Sequence, residues 1–198
     1  MKRLACFFGS AVFAAFVLCL FTGCGYNSLV TMREAVDSQW ANVENRYQER
    51  NDLVPNLVAT VKGYASHEEE VYTEIADARS KLGGSYTIDS SITDDPEAMQ
   101  NFIDAQNQLG SSLSRLLAIQ EAYPELKANE NFLDLQSQLE GIENRIATER
   151  KRYNDAVREY NTAISKFPAL ITARMFNLTA KQYFKADAQA SKAPVVQF

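Results

Sequence analysis

Cysteine and histidine are scarce in this 198-residue sequence, and their scarcity excludes several kinds of functional site. The cysteines are Cys6, Cys19 and Cys24, so disulfide frameworks and thiolate metal sites are excluded from the rest of the chain. His67 is the only histidine, and Tyr64 stands where a Glu-x-x-His metal motif of a helical bundle needs glutamate. We therefore predict no catalytic residue, no bound metal and no cofactor.

Glycine-rich phosphate loops and basic stripes interleaved with aromatic residues are also absent from the sequence. Asp and Glu number 25 against 20 Lys and Arg, which gives a formal net charge of −5. This acidic balance disfavours binding to phosphate backbones, so we predict no nucleic-acid partner. The hydrophobic content of 46% is ordinary for a folded protein and too high for a disordered chain.

The sequence begins with the pattern of a targeting segment for export. Lys2 and Arg3 precede 18 uncharged residues at positions 4–21, and a short linker then leads to Cys24. A positive start, an apolar run and small residues at a cleavage point are the three parts of a secretory signal. The small residues directly before Cys24 resemble the lipobox of bacterial lipoproteins, in which the cysteine thiol receives a diacylglycerol and the chain is cut before it.

Two interpretations of this segment stay open. In the first, residues 1–23 are a lipoprotein signal peptide and Cys24 is the lipid-attachment site. In the second, the segment is an uncleaved transmembrane helix, because 18 residues at about 1.5 Å each span roughly the 27 Å of a thin bilayer core. Residues 24–198 are the folded domain in both.

Both interpretations make the membrane a partner, and the positive charges of Lys2 and Arg3 keep the amino terminus in the cytoplasm. The domain is predicted to be periplasmic or on the cell surface; a single-pass inner-membrane protein is the alternative.

The remaining sequence has helical periodicity almost throughout. Apolar residues recur every three or four positions in four segments, which are residues 28–66, 66–82, 96–123 and 129–166. The last segment has a heptad-like seam, typical of coiled-coil packing. Because the first and last segments have similar lengths, we predict an all-α fold: an elongated antiparallel, up-and-down bundle of about four helices. Residues 169–185 are predicted to cover one end of the bundle, and the tail from about residue 186 is predicted to be loose.

Local signals predict where these helices start and break. Pro55 predicts a kink or a restart of the first helix, with Asp52 as a possible cap of the restarted part. Ser66 and Glu69 have the spacing of a capping box. Pro96 after an aspartate is a clear helix start.

Several polar residues lie next to the apolar stripes: Arg46, Arg50, Asn56, Glu149, Arg150 and Asn154. Polar groups at such positions need hydrogen-bond partners when they are buried. They form either a hydrogen-bonded seam that fixes the register of the helices or a functional groove. The nearby aromatic residues Trp40, Tyr47, Tyr153 and Tyr160 are predicted to be core anchors.

A series of ordered motifs resembles one known family. The motifs are YNSLV at residues 26–30, DLVPNLV at 52–58, VKGYASHE at 61–68, YPELKA at 123–128 and ENRIA at 143–147. From about residue 26 to residue 198, the sequence is similar to the LemA family of bacterial envelope proteins. The resemblance implies an antiparallel helical bundle behind a single membrane segment, and it implies no established catalytic activity.

Three hypotheses for the function follow. The leading one is a non-enzymatic, membrane-anchored envelope protein whose helical scaffold binds another envelope protein. The second is a helical bundle that binds a small ligand or lipid in a cavity, where Arg and Asn side chains orient an anionic group. An enzyme is the least favoured, and Glu149 and His67 are the residues that such an activity would involve.

Overall fold

The computed structural model describes the backbone of residues 2–82 and 90–185 and the side chains of residues 25–82 and 91–185. The regular structure among these residues is all helical, with no β-strand, which confirms the predicted all-α class. The α-helices are α1 (Lys2–Lys62), α2 (Glu69–Leu82), α3 (Pro96–Ala118), α4 (Pro124–Lys127), α5 (Glu130–Ser165) and α6 (Ala169–Met175). Short 3-10 helices span Ser90–Thr93 and Ile119–Ala122.

The predictions for the two ends of the chain fall outside the described residues. The side chains of the signal or anchor segment, the Cys24 attachment site and the tail from residue 186 belong to this group. Within residues 25–82 and 91–185, no helix has a stretch that is long and apolar enough to span a membrane.

Helix α1 continues through Pro55, so of the two predicted alternatives, a kink or a restart, the restart with Asp52 as its cap is wrong. Proline leaves the carbonyl of Asn51 without its usual donor four residues later. The helix persists because Val54 and Leu57, on either side of the proline, are buried in the core, and such packing supplies most helical stability in proteins.

The starts of the other helices depend on side-chain caps. Asp95 accepts hydrogen bonds from the backbone N–H groups of Glu97 (2.8 Å) and Ala98 (3.2 Å), as predicted at the start of α3. The predicted capping box of α2 is misplaced, because α2 begins at Glu69 itself and Ser66 lies in the preceding turn.

Cross-helix contacts define the directions of the long helices. Helix α5 packs along α1 and runs in the opposite direction. Along the interface, the residues of α1 rise in number while their contact partners in α5 fall. The pairs are Trp40 with Tyr153 (ring centroids 5.6 Å apart), Arg50 with Glu143 (3.0 Å) and Tyr64 with Asn129 (2.8 Å). Helices α2 and α3 also run in opposite directions, through the pairs Glu74 with Arg115 and Lys81 with Gln108.

The predicted aromatic anchors lie in the core. Trp40, Tyr47, Tyr153 and Tyr160 are all at most 5% exposed. Rings from α1, α3 and α5 meet there, because Phe102 lies 5.3 Å from both Trp40 and Tyr47. Edge-to-face contacts of this kind stabilise a core beyond the area that they bury.

The chain after α5 divides into two parts. Helix α6 packs against α1 and α5 near Gly25, at the end of the described domain that is closest to the targeting segment. Residues 178–185, which we call the strap, have no helical structure and run along α5. The prediction that residues 169–185 cover one end of the bundle is therefore wrong for the strap.

Candidate functional site

The surface between α3 and α5 is a groove whose floor is α1. The strap fills one half of this groove, and the other half is an open cleft of about 570 Å³. Residues of α1, α3 and α5 line the cleft, including Tyr47, Gln106 and Glu143. We call the whole surface the α3–α5 groove.

Two asparagines on α5 hold the backbone of the strap. Asn161 accepts from the Lys181 N–H and donates to the Lys181 carbonyl, both at 2.9 Å. Asn154 makes the same pair of bonds with Phe184, at 2.9 and 3.0 Å. Seven helical residues span roughly 10.5 Å, and three extended residues span roughly 10 Å. The two asparagines therefore match the repeat of an extended chain.

Lys181 is a buried cation that anchors the start of the strap. Its side chain is 1% exposed. Its Nζ donates to Asp37 (3.2 Å), Asp94 (3.0 Å) and Thr93 (2.8 Å). A buried ammonium group is tolerated when carboxylates and further hydrogen bonds surround it, as they do here. The strap is thus positioned by charge as well as by its backbone.

Phe184 completes an aromatic pocket at the end of the strap. Its ring stacks on Trp40 at 5.7 Å and meets the Tyr153 ring edge-to-face at 5.4 Å. The Arg150 guanidinium lies 4.9 Å from the centre of the Phe184 ring, a cation–π contact at the border between the strap and the cleft. The groove therefore binds an extended polypeptide through backbone, charged and aromatic contacts.

Tyr153 links this pocket to the strap backbone. Its hydroxyl donates to the Gln182 carbonyl at 2.8 Å. Burial raises the pKa of Tyr153 well above its ordinary value of 10.0, and the carboxylates of Asp37 and Asp94 raise it further. The phenol is thus held in its neutral, donating form.

Arg50 connects the three walls of the cleft. The residue is 3% exposed, and its guanidinium donates to Glu143 of α5 (3.0 Å) and to the Gln106 carbonyl of α3 (3.2 Å). Its Nε has no hydrogen-bond partner among the described residues. Gly110 lies beside it: a Cβ built there would be 3.8 Å from an Arg50 terminal nitrogen. Glycine in a helix interior costs about 1 kcal/mol relative to alanine, and here it leaves open space in the cleft beside the buried Arg50.

Tyr47 lies between the two arginines of the cleft. Burial raises the pKa of Tyr47, and the nearby charges of Arg150 and Arg50 partly oppose that rise. The cleft therefore offers two guanidinium groups and a neutral phenol beside the Glu143 carboxylate. An anionic or amide-containing ligand has suitable partners in such a site.

The structure separates the polar residues that the sequence grouped together. Arg50, Arg150 and Asn154 all lie in the α3–α5 groove. Glu149 is buried and bonds Arg152 (2.8 Å), while its Oε2 lacks a partner among the described residues.

The other candidates lie outside the groove. Arg46 pairs with Glu49 one turn away, and Asn56 is exposed on α1. His67 is exposed in the turn between α1 and α2. Within residues 25–82 and 91–185, no three His, Cys, Asp or Glu side chains are placed to hold a metal ion together.

Sequence reasoning missed three residues of the groove, namely Asn161, Lys181 and Gly110. The heptad spacing from Asn154 to Asn161 was an available signal, because it places two amides on one face of a helix. Lys181 carried no signal, since its partners lie in α1 and before α3.

Paired long helices and a groove that holds an extended segment make this an all-helical protein. The LemA family model matches residues 39–198, and the chain belongs to the LemA family. Among curated proteins, it is similar to magnetosome protein MamQ of Magnetospirillum gryphiswaldense strain MSR-1, with 28% identity over 186 residues that cover 86% of this chain and 68% of the relative. Magnetosome proteins MamQ 1 and MamQ 2 of Paramagnetospirillum magneticum strain AMB-1 are each 27% identical over the same shares.

Proposed function

We propose that this LemA-family chain is a non-enzymatic, membrane-anchored envelope scaffold whose elongated antiparallel bundle binds a segment of another envelope protein in the α3–α5 groove. The observation that carries this proposal is the strap. One half of the groove already holds an extended polypeptide through Asn154, Asn161 and an aromatic pocket, while the other half is open. The open half has polar side chains of its own, including Asn107, Glu143 and Asn144, which can bond the backbone of a second extended segment.

The anchor supports the envelope part of the proposal. The uncharged run at residues 4–21 and the small residues before Cys24 favour a lipoprotein signal, with a retained single-pass helix as the alternative. Either one holds the domain at a membrane, and the charges of Lys2 and Arg3 favour a position outside the cytoplasm. The MamQ relatives are named as magnetosome proteins, which supports placing this chain at a membrane.

Photo-crosslinking from the cleft in living cells tests the interaction. A benzoylphenylalanine at Ser114 lines the cleft, whereas one at Gln108 on the same helix faces α2 through its contact with Lys81. We expect the full-length chain to form a covalent adduct with another envelope protein from position 114 and not from position 108. Equal adducts from both positions, or none from position 114, would count against the groove as the binding surface.

A second candidate function is the binding of a small anionic ligand or lipid headgroup in the cleft. The cleft volume of about 570 Å³ lies in the range of ligand sites, and the guanidinium groups of Arg50 and Arg150 line the cleft. Native mass spectrometry of the full-length chain, gently extracted from its own membranes, is the test. A bound mass that disappears in the Gly110→Leu variant supports this candidate, and a ligand-free mass excludes it.

A further inference from the structure

Helix α6 and the residues that flank it carry a cluster of large apolar side chains that the domain leaves exposed. Phe167 is 81% exposed, Ile171 50%, Met175 65% and Phe176 51%, and we call these four residues the α6 patch. Helix α6 buries Thr172 and Ala173 instead, so its inner face is small and its larger side chains point outward. Soluble proteins rarely expose such clusters without a partner that covers them.

The patch lies next to the point where the targeting segment joins the domain. The Phe176 ring is 4.4 Å from the Tyr26 ring, and a Cβ built on Gly25 would be 3.8 Å from the Thr172 hydroxyl. Tyr26 follows the end of the uncharged run, residue 21, by five residues, or roughly 7.5 Å of helix. If Cys24 carries a lipid, the distance along the helix from the anchor to Tyr26 is shorter still. Both kinds of anchor place the α6 patch at the level of the lipid headgroups.

Charges near this end of the domain are also arranged as a membrane surface requires. The sequence has no Asp or Glu at residues 25–33 or at residues 160–186, although acids outnumber bases in the whole chain. Glu34 and Glu159, the carboxylates that border these stretches, stand roughly 10 Å or more along their helices from the end of the bundle. Lys166 and Arg174 are exposed beside the patch. The Asp94 carboxylate reaches Arg33 (3.7 Å) but is neutralised there and by Lys181 (3.0 Å). Basic and apolar side chains together, with the carboxylates paired or set back along the helices, suit an anionic lipid surface.

We propose that the α6 patch is a membrane-interface surface that inserts its apolar side chains among the lipids of the bilayer that holds the amino-terminal anchor. This inference rests on the anchor in the proposed function, and it adds a second point of contact with the bilayer. A lipid anchor alone leaves the tilt of the domain relative to the bilayer unrestrained, whereas an anchor together with the patch fixes that tilt. The bilayer then sets the direction in which the α3–α5 groove faces.

Tryptophan fluorescence in lipid vesicles tests the patch. The full-length chain is reconstituted in vesicles of phosphatidylcholine and phosphatidylglycerol, with or without brominated acyl chains. Ile171→Trp places a reporter in the patch, and Met175→Trp is a second variant in case the first perturbs the fold. Leu133→Trp is the control, because Leu133 is equally exposed (48%) but lies near the opposite end of the domain, where α5 begins. The native Trp40 is buried, and its signal is subtracted with the wild-type chain.

We expect the added emission at positions 171 and 175 to shift to shorter wavelength and to be quenched several-fold more by brominated lipid than the emission at position 133. Flotation of the same vesicles reports the anchor separately. A chain that floats, with equal quenching at all three positions, overturns the patch and leaves the anchor in place. A blue shift without lipid quenching means that protein covers the patch and also overturns the proposal. A chain that does not float contradicts both the anchor and the patch.

Discussion

At the scale of single residues, Lys181 shows how a charge can hold an extended segment in place. Its ammonium group is buried between Asp37 and Asp94, two carboxylates from separate parts of the chain that reach the same point. Those carboxylates are partly exposed, so the desolvation cost falls mainly on the lysine. The contact couples the position of the strap to the packing of α1 and to the start of α3.

Replacing Lys181 by methionine is expected to destabilise the protein. The substitution keeps an unbranched side chain of similar length but removes its charge, so it leaves two carboxylates facing a buried apolar group. We predict a loss of about 3 kcal/mol in the free energy of unfolding, near the lower end for breaking a buried ion pair. Urea unfolding of the detergent-solubilised full-length chain measures the change. Lys185→Met, at an exposed position of the same strap, should change stability by less than about 0.5 kcal/mol. Equal effects of the two substitutions would contradict this role of Lys181.

The raised pKa of Tyr153 predicts that the protein loses stability at alkaline pH. Its pKa is raised by burial above the ordinary value of 10.0, so the unfolded chain loses this proton at a lower pH than the folded chain does. The stabilisation is complete below pH 10 and declines as pH rises above that value, by up to about 1.4 kcal/mol per pH unit for one group.

Comparison with Tyr153→Phe isolates that contribution. The variant loses the hydrogen bond to Gln182, worth about 1 kcal/mol, at all pH values. Its stability should then fall less steeply than that of the wild type between about pH 9 and about pH 11. Urea unfolding at several pH values gives the two slopes, and parallel slopes would show that Tyr153 is not the titrating group.

Single residues also show which features of the structure could be predicted from the sequence and which could not. The core aromatics were predictable, because apolar spacing alone places Trp40 and Tyr153 inside. Lys181 was not predictable, because a lysine in a polar stretch resembles any surface lysine until distant carboxylates are placed around it. Gly110 was not predictable for the same reason, because its role is to leave open space in the cleft beside Arg50 of a neighbouring helix.

At the scale of elements, α1 shows that tertiary packing outweighs local signals. Pro55 removes one helical hydrogen bond on an exposed face, yet the helix does not end. Replacing Pro55 by alanine restores that bond and removes a poor helix former.

We predict that Pro55→Ala raises the free energy of unfolding by about 1–2 kcal/mol. This estimate sets the gain in the helix, roughly 3 kcal/mol, against the entropy that proline removes from the unfolded chain, about 1 kcal/mol. Asn56→Ala, at the adjacent exposed position, should gain less than about 0.7 kcal/mol, since only helix propensity changes. Thermal and urea unfolding would reveal the difference. If Pro55→Ala is no more stable than Asn56→Ala, the strain at Pro55 has been overestimated.

The strap is the element that sequence periodicity could not reveal. Extended segments outside sheets have no repeat, and the partners of this one lie on α5 and α1 far away in the sequence. The hydrogen bonds from Asn154 and Asn161 to the strap backbone lead to a direct prediction for hydrogen exchange. Asn154→Ala removes both backbone bonds of Phe184, so the Phe184 amide should exchange roughly tenfold faster or more.

Two comparisons sharpen this prediction. In the same Asn154→Ala variant, the Lys181 amide should stay protected, because Asn161 holds it independently. Asn131→Ala, at an exposed position in the first turn of α5, should leave both amides unchanged. Faster exchange of Lys181 and Phe184 together would show that the strap opens as one unit and that the two asparagines do not hold it independently.

At the scale of the whole molecule, the central claim is that a helical scaffold is held at a membrane. The all-α class and the LemA family were predictable from the sequence, because helical periodicity and ordered motifs extend along most of the chain. The groove was not predictable, since it arises from how α3, α5 and the strap are arranged around α1.

The intact mass of the protein purified from its own membranes, beside a Cys24→Ala variant, tests this claim most directly. We predict a chain that begins at Cys24 and is heavier by a diacylglyceryl group, with that modification absent from the variant. An unmodified full-length chain that remains in the membrane fraction would identify the anchor as a retained single-pass helix. An unmodified chain recovered from the soluble fraction would contradict the membrane anchor, and with it the envelope scaffold.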